Sequence, residues 1–328
     1  MRKTSIVVAI VMLFALLLTA CASSKEPEMV EDVTIRLRGL QGPTSMGLAQ
    51  LVTDAQEGEE SFKVDFEVVA SPEEIVPLIV KGECDIAALP ANLAATLYNR
   101  TEGEIVVLAV NTLGVLDIVE RGDTVETIDD LKGRKLYASG EGAVPEYVIR
   151  LLLERKGLDP DNDVEIEWLS EHSAIVAKLE TENDAVALLP QPFVTIAQKQ
   201  LTDLRLAIDL NDDWSELIPE AGLVMGVLIA QKAFVEENTN TIDAFLASYE
   251  ESINFTNENP KEASQMIEAL DVFNAAVAEA AIPYCNIHYA DGDPMKDSLS
   301  GFLELLHGMN PQSVGGKLPP ADFYYGAK

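Results

Sequence analysis

The chain has 328 residues, of which 48% are hydrophobic and only 6% aromatic, and its formal net charge is −32. This composition excludes a disordered tail and requires a mostly aliphatic core, and the length accommodates two lobes of ~150 residues each. So acidic a surface repels nucleic acid and anionic headgroups, so neither is expected as a partner.

At the amino end, Arg2 and Lys3 precede an unbroken apolar run over residues 6–18, which gives way to Thr19, Ala20 and Cys21. A basic start, a short apolar stretch and small residues before a cleavage point read as a secretory signal over residues 1–20. The run is shorter than the roughly 20 residues that a membrane-spanning helix needs. A Cys directly after the small residues matches the bacterial lipobox, so Cys21 is the expected lipidation site. Residues 21–31 then form a lipidated, flexible tether, small and charged in composition. The expected location is the extracytoplasmic face of the cell membrane, held by lipid.

Beyond the tether, period-two strands alternate with period-3.6 helices. Val33, Ile35 and Leu37 mark a strand that runs into a turn over residues 39–47, Gly-Leu-Gln-Gly-Pro-Thr-Ser-Met-Gly. There Pro43 suits a first helical position, and Gln41, Thr44 and Ser45 offer polar groups beside exposed N–H groups that can hold an oxygen of a ligand. Phe62, Val64, Phe66 and Val68 form a second alternating strand. A short strand at residues 86–89 ends in Pro90, with Ala91 and Asn92 opening a new helix. The continuous apolar run at residues 105–110 has the look of a central parallel strand covered on both faces. It leads to Asn111, Thr112, Leu113 and Gly114.

Further on, residues 138–147 (Ala-Ser-Gly-Glu-Gly-Ala-Val-Pro-Glu-Tyr) combine Ser139, Gly142, Ala143 and Glu146 with a proline at a helix start. Val148, Leu151 and Leu152 share a helical face that stops at Gly157. The strand at residues 164–169 precedes His172, a candidate donor or metal ligand at the crevice or else a capping or surface histidine. A strand at residues 185–189 ends in Pro190-Gln191-Pro192-Phe193. It echoes the earlier strand, since both end in Ala-x-Leu-Pro before a helix. Two helical stripes follow: Ile242, Phe245, Leu246, Tyr249 and Ile253, then Ala263, Met266, Ile267 and Leu270. Strands interleaved with helices predict an α/β class built on mostly parallel sheets, with five strand-to-helix junctions converging on one crevice.

No catalytic signature is present: the three histidines stand apart, and no nucleophile elbow, phosphate loop or dinucleotide fingerprint occurs. Cys84 and Cys285 read as separate, partly buried thiols rather than a pair. Cys285 with His288 supplies too few ligands for a closed zinc site, so no metal or cofactor is expected.

Several of these segments resemble the substrate-binding lipoproteins of ABC importers. They are residues 41–47, residues 82–90 (Gly-Glu-Cys-Asp-Ile-Ala-Ala-Leu-Pro), residues 130–135 (Asp-Leu-Lys-Gly-Arg-Lys), residues 157–160 and residues 189–193. The branch is the nitrate/sulfonate/taurine and thiamine-precursor-like group, the SsuA/THI5-like family, and the resemblance covers roughly residues 33–325. It implies a type II periplasmic-binding-protein-like fold: two α/β lobes joined by two crossing segments, at residues 113–116 and 223–226. Lobe one is then residues 32–114 plus 226–328, and lobe two residues 115–225.

It also implies a small-molecule solute gripped between the lobes and an ABC permease with its ATPase as partners. The chain would act as a monomer, with no catalytic residues. The family's binding positions fall on Thr44, Ser45, Met46, Asn92, Thr112, Ser139, Gly142, Ala143, Gln191 and Phe193. Gln41, Pro90, Asn111, Glu146 and His172 complete the candidate set. Where anion-binding relatives carry a Ser/Thr-rich turn, this chain has Gly140-Glu141-Gly142-Ala143, and no Arg or Lys lies in any of the loops. A neutral, zwitterionic or heteroaromatic metabolite is therefore expected. The alternative is an enzyme of related fold acting on a pyrimidine-precursor or menaquinone-pathway metabolite, which the export signal opposes. An adhesin or sensory domain would need an exposed apolar patch.

Overall fold

Two-residue spacing of apolar side chains buries Ile35 and Leu37 completely on one face of strand β1 (Thr34–Leu40). The computed structural model describes residues 33–69 and 71–328; the expected signal segment 1–20, the expected lipidation site Cys21 and the expected tether 21–31 lie outside the described residues. After β1 come α1 (Pro43–Met46), α2 (Ala49–Glu57), β2 (Lys63–Val69), α3 (Pro72–Val80), β3 (Ile86–Pro90), α4 (Ala91–Arg100) and β4 (Ile105–Thr112). Residues 113–115 lead into β5 (Leu116–Arg121), β6 (Lys135–Ser139), α5 (Val144–Arg155), β7 (Glu165–Leu169) and α6 (His172–Thr181). Then follow β8 (Val186–Pro190), α7 (Phe193–Gln200), β9 (Leu204–Asp209) and α8 (Leu210–Leu217). The chain finishes with β10 (Gly226–Gln231), α9 (Lys232–Glu237), α10 (Thr239–Glu258), α11 (Pro260–Ala269), α12 (Ala275–Ala281), β11 (Ile287–Ala290) and α13 (Gly292–Met309).

These strands form two sheets, one of order β11-β4-β10-β3-β1-β2 and one of order β7-β6-β8-β5-β9. In the first, β1 is parallel to β2 and β3, while β10 runs antiparallel to β3 and β4. The second repeats the plan, with β6 parallel to β7 and β8 and with β5 antiparallel to β8 and β9. The two strands ending in Ala-x-Leu-Pro, β3 and β8, hold equivalent places in this repeated order.

The sheets are thus mixed rather than mostly parallel, and β4 is not a parallel strand. It is buried at every residue, yet both of its neighbours, β10 and β11, are antiparallel to it. The cause is the short crossing. β5 is entered directly from the carboxyl end of β4, and β10 from the segment that follows α8; each begins where its new neighbours end, so Leu116 faces Pro190 in one sheet and Gly226 faces Pro90 in the other.

Helices cover both faces of the sheets, and Ile242, Phe245, Leu246, Tyr249 and Ile253 on α10 are all buried. One core cluster contains residues from both sheets; within it the ring of Trp214 on α8 meets Phe302 on α13 edge-on at 5.8 Å. A second cluster lies between α6, α7 and the five-stranded sheet, around Ile175, Leu179 and Val194. Cys84 and Cys285 are buried and unpaired, and burial pushes the Cys84 thiol up to about 12. Among the described residues, no helix is long and apolar enough to cross a membrane.

Candidate functional site

The ends of β1, β3, β4 and β8 open onto one cleft of about 490 Å³. Of the residues singled out from the sequence, Gln41 and Thr44 line it from the β1–α1 turn, Pro90 and Asn92 from the β3–α4 turn, and Thr112 from the end of β4. Ala143, His172, Gln191 and Phe193 line it from the five-stranded sheet. Thr44 and Gln191, on turns of different sheets, therefore border the same space.

The remaining six do not line the cleft. Ser45 is buried, with its Oγ donating to Leu40 O at 2.6 Å, and Met46 is packed in the core beneath α1. Asn111 lies below the floor, where its Nδ2 donates to Thr44 O and its Oδ1 accepts from Thr112 Oγ1. Ser139 stands behind His172, its Oγ 2.6 Å from Nδ1. The Gly142 N–H donates to Glu146, and Glu146 also accepts from Arg150 Nε at 2.7 Å. That carboxylate is already committed to its own helix and loop. Gly140 and Gly142 both hold positive φ (86° and 75°), which glycine adopts without strain.

Gln191 is only 3% exposed and its amide is held from two sides. Nε2 donates to Asp117 Oδ2 at 3.2 Å, and Oε1 accepts from Thr195 Oγ1 at 2.9 Å. An amide has two hydrogens and two lone pairs, so one of each is left over. Phe193 packs its ring against His172, centroids 4.7 Å apart. Burial pulls His172 down from its usual range, so it is neutral at pH 7. If Ser139 donates to Nδ1, Nε2 carries the proton; in the reverse arrangement Nε2 is an acceptor.

Behind Gln191, a cavity of about 70 Å³ separates Asp117 and Asp209 from Tyr284 and Asn286. Asp117 is pushed up to about 7, first by burial and then by the charge of Asp209, against the stabilising N–H of Gln191. A further depression of about 600 Å³ lies along α10, beside Asp243, Glu250 and Tyr289. It touches only elements flanking the six-stranded sheet, and the hydroxyl of Tyr289 is already bonded to Asp291.

Sequence reasoning missed Leu93, Val115 and Met225 as lining residues. Val115 and Met225 sit in the two crossing segments, which are legible as segments, and their backbones pair with Gln191 N and Ala91 N. Leu93 shows no signal beyond its place in the first turn of α4. The floor is close-packed at Gly226, where a Cβ would run into Thr44 Cγ2 and stand 2.6 Å from Asn111 Oδ1. Gly226→Ala is therefore expected to destabilise the fold by about 1–3 kcal/mol through overpacking, read as a lower thermal midpoint. An unchanged midpoint would show that Thr44 yields freely.

The family model described as NMT1/THI5 like matches residues 58–263. The chain belongs to the NMT1/THI5-like family. Among solved structures, this NMT1/THI5-like chain is similar to an ABC transporter from Parabacteroides distasonis, with 28% identity and a TM-score of 0.75 over 89% of this chain and 99% of that one. It is also similar to the periplasmic aliphatic sulphonate binding protein SsuA from Escherichia coli, with 16% identity and a TM-score of 0.68 over 87% and 96% of the two chains. The fold is that of the type II periplasmic binding proteins. A Brucella abortus protein whose name proposes it as a binding protein is 25% identical over 167 residues, 51% of this chain and 50% of that one. The chain thus spans about half the length of the curated relatives it matches.

Proposed function

We propose that this chain is the lipid-anchored, extracytoplasmic solute-binding component of an ABC importer. It captures a small metabolite between lobe one, residues 32–114 plus 226–328, and lobe two, residues 115–225, and presents it as a monomer to a permease and its ATPase. The observation that carries this reading is the single cleft bordered by turns from both sheets, with Thr44 and Asn92 on one side and Gln191 and Phe193 on the other. Ligands of open α/β sheets sit beyond strand carboxyl ends. Two lobes joined only by short crossings can close about a guest by hinge motion. The division of the strands between two sheets supports the lobe boundaries.

The ABC transporter from Parabacteroides distasonis and the sulphonate-binding SsuA support the same function for this chain. The anchor rests on Cys21 and the residues before it. No residue is assigned a catalytic role.

A thermal-shift screen of small metabolites with the purified chain tests the receptor role. A true ligand raises the midpoint, because binding only the folded state stabilises it in proportion to RT ln(1 + [L]/Kd). Small-angle scattering should then show a more compact particle, and Phe193→Ala should weaken the shift. Chemical turnover of the bound solute would replace receptor with enzyme. For the anchor, Cys21→Ala is expected to move the protein from the membrane fraction to the soluble fraction; retention on the membrane would refute it.

A further inference from the structure

Among the described residues, no Lys, Arg, Asp or Glu lines the cleft. The two arginines of β1 face other duties: Arg36 pairs with Asp85, and Arg38 with Asp65 and Glu67. His172, the only titratable side chain among the described lining residues, is held neutral by burial. An anion entering here would surrender its hydration with no cation to meet it, in a chain whose own formal charge is −32.

The site still favours electron-rich atoms. Four helices of eight residues or more, α4 to α7, begin at or beside the cleft, and none has a side-chain cap bond to its first N–H groups. Such helix starts offer free N–H groups and partial positive charge to any electron-rich oxygen or nitrogen, and a carbonyl oxygen or ring nitrogen takes them up without the desolvation cost that a full anion carries. Gln191 adds direction. With Asp117 and Thr195 each holding one end, its amide keeps one N–H and one lone pair on neighbouring atoms. The complement of that pair is another amide edge, a C=O next to an N–H. Leu93, Val115, Met225 and Phe193 supply apolar walls, and the volume of about 490 Å³ suits an organic molecule, not an inorganic ion.

We propose that the cleft takes an uncharged, planar organic solute bearing a cyclic amide edge, seated against Gln191 and Phe193, and rejects the anionic isosteres of that solute. This rests on the solute-receptor reading of the same cleft.

The test is calorimetric titration of the full chain at pH 7.5 with matched probes: uracil against orotate, nicotinamide against nicotinate, 2-pyridone, and then nitrate and ethanesulfonate. At least one uncharged cyclic amide, uracil or 2-pyridone, is expected to bind, with uracil about tenfold or more tighter than orotate. Gln191→Leu, which keeps the bulk and removes the amide, should cost that probe about tenfold in affinity, as loss of two hydrogen bonds implies. Circular dichroism and the melting point separate that loss from misfolding. Should the leucine variant fail to fold, Gln191→Met serves the same purpose. If nitrate, ethanesulfonate or orotate binds better than every uncharged probe, the charge inference falls while the receptor reading stands. If no cyclic amide binds at all, the proposal falls whatever else binds. If no solute from a broad library shifts the melting point, the receptor reading falls with it.

Discussion

Asp117→Asn is expected to raise the melting temperature at pH 8 by on the order of 5–10 °C and to bring no gain below about pH 4. Asp117 is 5% exposed near the start of β5, with Asp209 opposite it in the β5–β9 register. Cys285 stands near enough to feel the charge of Asp117, and Gln191 Nε2 donates to that carboxylate at 3.2 Å. Burial, and then Asp209, raise the carboxyl from 3.8 to about 7. A group whose folded value exceeds its unfolded value contributes most below the unfolded value, and that contribution is lost as pH rises through the folded one. Between 3.8 and about 7 the folded state therefore loses stability steadily, reaching at most about 4 kcal/mol at pH 8 at ~1.4 kcal/mol per pH unit. Asparagine has the same shape, offers Gln191 an acceptor and never ionises, so it escapes this loss. It also turns a donor towards Asp209. Melting curves of both proteins from pH 3 to pH 8 decide the matter. Parallel curves would mean that Asp117 is hydrated through the small cavity and ionises normally.

The same carboxylate shows where the sequence stops being informative. Asp117 and Glu120 stand among Leu116, Ile118 and Val119 in β5, and an acid in such a run looks like a residue facing water. Only the packing reveals that both are buried. The strands and helices themselves were legible, because alternation and 3.6-residue stripes follow from which face is covered, as at Ile35 and Leu37 or along α10. Strand direction was not. Burial on both faces gives β4 the same apolar string in a parallel or an antiparallel setting, and the short crossings decide between them.

The turns carrying the cleft could be found from their Pro and Gly residues, yet not which turn residues face inward. Met46 points into the core because α1 ends after one turn at Gly47, where a Cβ would stand 2.7 Å from Ile253 and 2.9 Å from Ile287. Pairing hides others: Glu146 reads as a free acid until Arg150 and the Gly142 N–H are seen to hold it.

Glu120→Gln should have the opposite effect to Asp117→Asn, although the two acids are only three positions apart. Glu120 is fully buried, but its carboxylate accepts from Thr124 Oγ1 at 2.6 Å, from the N–H groups of Thr124 and Val125, and from Arg134 at 3.0 Å and Arg205 at 2.5 Å. One side chain thus joins β5, the loop after it, the residue preceding β6, and β9. Burial alone would raise its pKa, yet the bonds from Thr124, Val125 and Arg205 outweigh that and lower it. Glutamine keeps the volume, loses the charge and turns an NH₂ group towards donors.

Breaking a buried ion pair from one side costs about 3–5 kcal/mol. Here the lower end applies, because the guanidiniums of Arg134 and Arg205 are 32% and 34% exposed and recover water. A loss of about 3 kcal/mol lowers the midpoint by about 5–10 °C near neutral pH. The sign also reverses: with the folded value depressed, the stabilisation is present above the unfolded value of 4.5 and vanishes as pH falls through the folded one. The parent and variant melting curves should therefore converge in acid and separate towards neutrality. A double-mutant cycle with Arg205→Ala isolates the pair. Melting of the glutamine variant together with the parent at pH 7 would show that the two arginines, not the carboxylate, hold the end of this sheet.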